Sequence, residues 1–273
     1  MKRLVNLSPS RPWALLLGLI PLALVLALYL AGSDARLTEN PNDKLLPSLE
    51  QMSSALDRMA LQPSKRSGEY LFWTDTAASL QRLGLGIGIA AIIGLLIGLL
   101  TGALPAVNVA LSPLLTVFSL VPPLALLPIL FIVFGLDELS KVVLIVIGVA
   151  PFIARDLQKH TLEMPREQLV KAQTLGANSM QILFRVLLPQ IMPRLIDAVR
   201  LSLGTGWLFL IAAEAIAATD GLGYRIFLVR RYLSMDVIIP YVAWITLLAF
   251  LLDMALAWLS RRLYPWHHKG AAS

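Results

Sequence analysis

Of 273 residues, 57% are hydrophobic and only 15% are charged, too little charge to solvate the surface of a soluble domain of this length. The formal charge of +6 and the sequence pI of about 9.8 do not mark a nucleic-acid binder, because the basic residues lie mostly in loops beside apolar runs and no basic patch is interleaved with aromatics. The absence of cysteine excludes disulfides, thiolate metal sites and thiol nucleophiles. His160, His267 and His268 all lie outside the apolar runs, so no metal, haem or other cofactor is expected inside a membrane.

A helix crosses about 30 Å of hydrocarbon with roughly 20 apolar residues. The first run, Trp13–Ala31, follows Lys2, Arg3 and Arg11. It exceeds the roughly 7–15 residues of a signal-peptide core, so the segment 1–31 reads as a cytoplasmic start and a retained first span rather than a cleaved leader. Residues 32–76 are polar, with five basic and seven acidic residues, and fit a periplasmic loop. Within it, Pro47 to Leu61 has the pattern of a short amphipathic helix on the membrane surface.

The second run covers about Ala77–Ala103, where Gly94, Gly98 and Gly102 stack on one face at four-residue spacing. Such faces let backbones approach closely, against another helix of this chain by the plainer reading or against a second copy. The third, about Val109–Phe134, contains Pro113, Pro122, Pro123 and Pro128, which predict a bent or broken helix. Freed carbonyls at membrane depth face protein or a watery cavity, so Pro122, Pro123 and Pro128 are candidates for lining a pathway or for a kinked packing helix. The fourth run, about Val142–Ala154, is short unless it extends to Leu139 or Leu157; the fifth is Leu195–Ala218 and the sixth Val237–Leu259.

The expected fold is therefore an all-α integral membrane protein of six transmembrane helices. The N-terminus, the loop 155–192 (five basic, three acidic) and the tail 264–273 are net basic, which puts all three in the cytoplasm. The core of five later spans occupies 77–263. The loop 219–236 dissents, falling outside with Arg225, Arg230 and Arg231. A solvated or ion-paired face is the bland explanation; attraction of an anionic solute or docking of an acidic receptor is the sharper one.

Four ionisable groups lie in or near the spans, where charge is usually paired or functional. Asp197 and Arg200, three apart on one face, read as a local ion pair. Glu214 reads as the partner of an arginine from 219–236, or as part of an outer gate, and Asp253 has no sequence-local partner. Glu214 and Asp253 join the three prolines as pathway candidates.

The stretch Arg166–Pro189 predicts helix, turn, helix. Gly176 suits a left-handed cap after Arg166–Thr174, Asn178 with Gln181 suits a capping box, and Pro189 is expected to stop the second helix. A rigid hairpin of this kind suits docking into a groove on a partner.

Here the sequence resembles the ABC importer permeases, whose signature loop runs Glu-Ala-Ala, three residues, Gly, nine residues, Ile, one residue, Leu-Pro. The frame falls on Val170-Lys171-Ala172, Gly176, Val186, Leu188 and Pro189, with Val170 and Lys171 standing in place of Glu-Ala. Val121 to Pro128, Phe134-Gly135, Ala212-Ala213-Glu214, Gly221-Leu222-Gly223 and Pro265-Trp266-His267 resemble the nitrate, sulfonate, taurine and bicarbonate branch. The resemblance implies a type I importer (MetI-like) fold in the bacterial inner membrane. It implies that Lys171, Ala172, Gly176, Ala177, Leu188 and Pro189 couple to an ATPase subunit. It also implies the partners: two ATPase copies, a second permease copy, a periplasmic solute-binding protein and the bilayer, with no nucleic acid. No P-loop of the form GxxxxGK[ST] is present, so the energy is expected from that partner. A membrane enzyme would need a reactive cluster, and HExxH, paired intramembrane histidines and a carboxylate dyad are missing. A passive channel would not need the hairpin, and a thiamine-precursor pyrimidine is the alternative solute.

Overall fold

The computed structural model describes residues 10–41, 43–65 and 67–269, and the regular structure among them is helical throughout. Lys2 and Arg3, which enter the charge argument, and the tail end 270–273 lie outside the described residues.

Helix α1 (Arg11–Glu39) begins with a proline in its first turn and exposes its leucines and Val25 from Leu15 to Leu30. It is tethered near its end, where the Tyr29 hydroxyl donates to the Pro47 carbonyl at 2.7 Å and the Ser33 hydroxyl to that of Leu46 at 3.0 Å. Beyond it, the Leu45 N–H and Arg36 hold the Asp43 carboxyl below the usual carboxylate range. Helix α2 (Leu49–Ala60) is the expected amphipathic helix, started by a Ser48–Gln51 capping box. It packs on two later helices, with Ala55 buried.

Helix α3 (Leu71–Ala103) starts before the apolar run read from sequence, because Asp75, Thr76 and Ser79 are buried and hydrogen-bonded rather than solvated. Its glycine face packs within the chain, against α6 (Glu138–Leu162). A Cβ on Gly94 would lie 2.6 Å from Ile153 Cγ2, and one on Gly98 would lie 2.6 Å from the Ala154 carbonyl oxygen. Only glycine allows this backbone-to-backbone approach. The core runs along α6, whose Leu144, Ile145, Ile153 and Leu157 are fully buried.

Between them lie α4 (Pro105–Leu120), a 3-10 turn at Pro123–Leu126 and α5 (Leu127–Phe134). The two helical pieces are bent by 82° at the Pro122–Pro123 break, as the proline cluster predicts. After α6 come α7 (Arg166–Thr174), α8 (Ser179–Gln181), a π turn at Ile182–Leu187 and α9 (Leu188–Ala217). Then follow α10 (Leu222–Arg230), α11 (Met235–Leu263) and α12 (Pro265–Lys269).

Among the described residues, α1, α3, the continuous stretch Ser179–Ala217 and α11 are long and apolar enough to cross a membrane, and the bent α4–α5 pair makes a fifth span if counted as one. Exposed leucines, isoleucines and phenylalanines on α3 and α11, such as Ile92, Leu96, Leu247 and Phe250, suit a lipid solvent. Helix α6 is apolar in the middle but carries Glu138 and Lys141 at one end and Arg155, Asp156 and Lys159 near the other.

Candidate functional site

At one end of the bundle, α7 ends in a Schellman turn. The Ala177 N–H donates to the Ala172 carbonyl at 3.0 Å and the Gly176 N–H to that of Gln173 at 2.9 Å. Gly176 carries φ +82°, and a Cβ there would meet nothing within 4 Å, so glycine is required by backbone conformation alone. The Asn178 side chain accepts from the Gln181 N–H at 2.8 Å while Gln181 accepts from the Asn178 N–H at 2.9 Å, the expected capping box.

Pro189 does not stop the second helix. The chain continues from Ser179 to Ala217 as one stretch, with Pro189 at the start of α9. The π turn just before it changes the hydrogen-bond register, so the missing proline N–H falls in a first turn, where none is needed. Lys171 is exposed, Ala172 and Ala177 are half-buried, and Leu188 packs on the core beside exposed Pro189. Sequence reasoning missed the apolar tips of the hairpin: Leu175 is 82% exposed, and Val170, Met180 and Phe184 are exposed beside it.

The opposite end holds a buried charge cluster. Glu214 on α9 is fully buried and accepts from the Ser79 hydroxyl, Arg82 Nη1 and the Gly223 N–H, each at 2.8 Å. Its ionic partner is thus Arg82 of α3, not an arginine of the 219–236 loop. Arg82 also binds Glu138 and Asp220, and Lys141 Nζ donates to Glu138 at 2.8 Å. Arg225, the expected outer contact, is engaged by Asp75, which also accepts from the Gly221 N–H at 3.0 Å and the Tyr241 hydroxyl at 3.2 Å. Gly221 has φ +113°, and a Cβ there would lie 2.6 Å from the Glu214 carboxyl carbon. The glycine turn can therefore lay its N–H groups directly on two buried carboxylates. Arg230 stacks over Phe227, and both Arg230 and Arg231 are exposed.

Asp253 finds its partner in Arg200, whose Nε donates to it at 2.8 Å, and Asp197 is the second carboxylate of that arginine at 3.6 Å. A cavity of about 850 Å³ opens between α4, α6 and α9, lined by Phe118, Ser119, Pro123, Pro151, Arg155 and Phe209 among others. Of the predicted pathway residues Pro123 lines it. Pro122 sits at the break and Pro128 in the first turn of α5, neither of them lining the cavity, and Glu214 and Asp253 are held in ion pairs elsewhere.

The long apolar helices and the polar-edged cavity beside them define a helical membrane protein. Residues 90–266 match the family described as binding-protein-dependent transport system inner membrane component, and the chain belongs to that family. It is 38% identical over 195 residues to the taurine transport system permease protein TauC of Escherichia coli (strain K12), covering 71% of each chain. It is 30% identical over 262 residues, 95% of each chain, to the putative aliphatic sulfonates transport permease protein SsuC of the same organism. The bicarbonate transport system permease protein CmpB of Synechococcus elongatus is 32% identical over 192 residues, 70% of this chain and 69% of that one. The fold matches an inward-facing structure of the MetNI methionine ABC transporter with a TM-score of 0.64 and 24% identity, over 73% of this chain and 99% of that one.

Proposed function

We propose that this chain is the permease subunit of an ATP-driven importer that moves a small oxyanion, of the sulfonate, taurine or bicarbonate kind, across the bacterial inner membrane by alternating access. The observation that carries the proposal is the rigid hairpin at Gly176, built by two reinforcing caps and tipped with unpartnered apolar side chains, inside a chain of this family. Exposed Leu175 and Met180 at the point of a capped turn suit a hydrophobic cleft on an ATPase subunit. In this reading the hairpin end and both termini face the cytoplasm. Segment 32–76 is then periplasmic, and α6 joins the other helices as a sixth span with its ionised ends at the two interfaces.

Two copies of the chain would pair with two ATPase subunits and receive solute from a periplasmic receptor. Arg230 and Arg231, exposed at the far end, would face that receptor. Relatives with sulfonate, taurine and bicarbonate in their names support the solute class.

Co-purification tests the core of the proposal. A nucleotide-hydrolysing subunit expressed with this chain should remain bound in detergent, and Leu175→Asp should release it. A chain that pumps the anion with no such subunit would overturn the reading.

A further inference from the structure

Arg155 differs from Arg82, Arg200 and Arg225. Arg82 meets three carboxylates, Arg200 meets Asp253 and Asp197, and Arg225 meets Asp75. Among the described residues Arg155 meets no carboxylate. Its Nη1 donates to the Ser119 hydroxyl at 2.7 Å, and the side chain is exposed where it lines the cavity. The Ser119 hydroxyl gives its own proton to the Thr116 carbonyl at 2.9 Å, so its lone pairs are free for the guanidinium. A neutral acceptor thus fixes one edge of the fork without cancelling the charge.

The acids on the same wall have other neighbours: Glu163 lies 3.9 Å from Lys159, and Asp156 lies 3.8 Å from the His160 ring. Arg155 sits about two turns from the Leu162 end of α6, in the part of the cavity nearer the hairpin. A polar line continues beside it, with Gln158 donating to Ser112 at 2.6 Å and Ser112 to Asn108 at 2.7 Å. A guanidinium on a cavity wall with no carboxylate on it leaves its charge available to an anion entering the cavity. Its remaining N–H donors match a sulfonate or bicarbonate group, whose oxygens accept from two parallel donors.

We propose that Arg155, positioned by Ser119, is the anion-holding residue of the inward half of the pathway. It receives the oxyanion in the cavity before release toward the hairpin end. The assignment rests on the oxyanion-permease reading above.

The chain contains no cysteine, so Phe152→Cys, on the same cavity wall, supplies a single reactive thiol in this chain. Its rates with an anionic and a cationic methanethiosulfonate, each normalised to a free thiol, should favour the anionic reagent by about tenfold when Arg155 is present. Arg155→Gln should remove that preference, and taurine or bicarbonate should slow the reaction only with Arg155 in place. A preference unchanged by Arg155→Gln overturns the assignment. In vesicles holding the permease, its ATPase and the receptor, Arg155→Gln should lower uptake of taurine or bicarbonate by about tenfold or more, while Arg155→Lys, which keeps the charge, should retain most of it. Wild-type uptake by Arg155→Gln sinks the assignment and leaves the importer standing. A wild-type complex that takes up neither anion sinks the importer reading, and the thiol rates then decide alone whether Arg155 draws anions.

Discussion

Glu214 and Arg82 carry opposite charges in a region where neither can be solvated, at 0% and 4% exposure. Both carboxylate oxygens of Glu214 are met by donors, and Arg82 is shared among three carboxylates. Removing one partner leaves a buried charge uncompensated, so Arg82→Leu should cost about 3–5 kcal/mol. A drop in the melting temperature of the detergent-solubilised protein would report it. The double variant Arg82→Leu, Glu214→Leu should recover part of the loss. The three arginines of the last loop divide in the same assay. Arg225→Gln should destabilise by about 1–3 kcal/mol, because Asp75 loses its cation. Neutralising exposed Arg230 and Arg231 together should leave melting unchanged and raise the receptor concentration needed for uptake. Equal melting of all these variants would contradict the division. The need of Glu214 for a cation was legible in the sequence; the identity of that cation was not. Arg82 lies 132 residues away in an apolar, glycine-rich run, and a lone arginine in such a run was the signal available.

At the level of elements, the glycines of α3 divide by what they touch. Gly98 lies against the Ala154 carbonyl, whereas Gly88 faces open space. Gly98→Ala should destabilise by about 1–3 kcal/mol through forced separation of α3 and α6. Gly88→Ala should be neutral or stabilising by up to about 1 kcal/mol, as for an exposed helical glycine. Thermal melting of the two variants checks this, and equal losses would argue against the close seam. The four-residue glycine spacing made this face visible in advance, and the proline cluster did the same for the 82° break. The π turn at Ile182–Leu187 was not visible. A register change that moves Pro189 into a first turn is set by packing of Leu187 and Leu188 on the core, not by any local residue preference. The early start of α3 was hidden for a related reason, since Asp75 reads as a loop residue until Arg225, 150 positions later, is beside it.

For the whole molecule, one end is clamped by buried charge and the other carries the exposed, capped hairpin. The Arg82–Glu214 cluster ties α3, α6, α9 and the Gly221 turn together, while the hairpin projects from α6 and α9 at the far side. In the proposed coupling, a push on the hairpin would reach α9 through the continuous stretch Ser179–Ala217, and α9 carries Phe209 into the cavity wall. The central claim is that this linkage is mechanical and passes through the turn at Gly176. Gly176→Val is its most direct test, because φ +82° strains a β-branched residue and no side chain is crowded. In vesicles holding the permease, its ATPase and the receptor, ATP hydrolysis and taurine or bicarbonate uptake are measured together. The account predicts that the variant still hydrolyses ATP while uptake per ATP falls by about tenfold or more. Wild-type uptake per ATP in a correctly assembled Gly176→Val complex would contradict it.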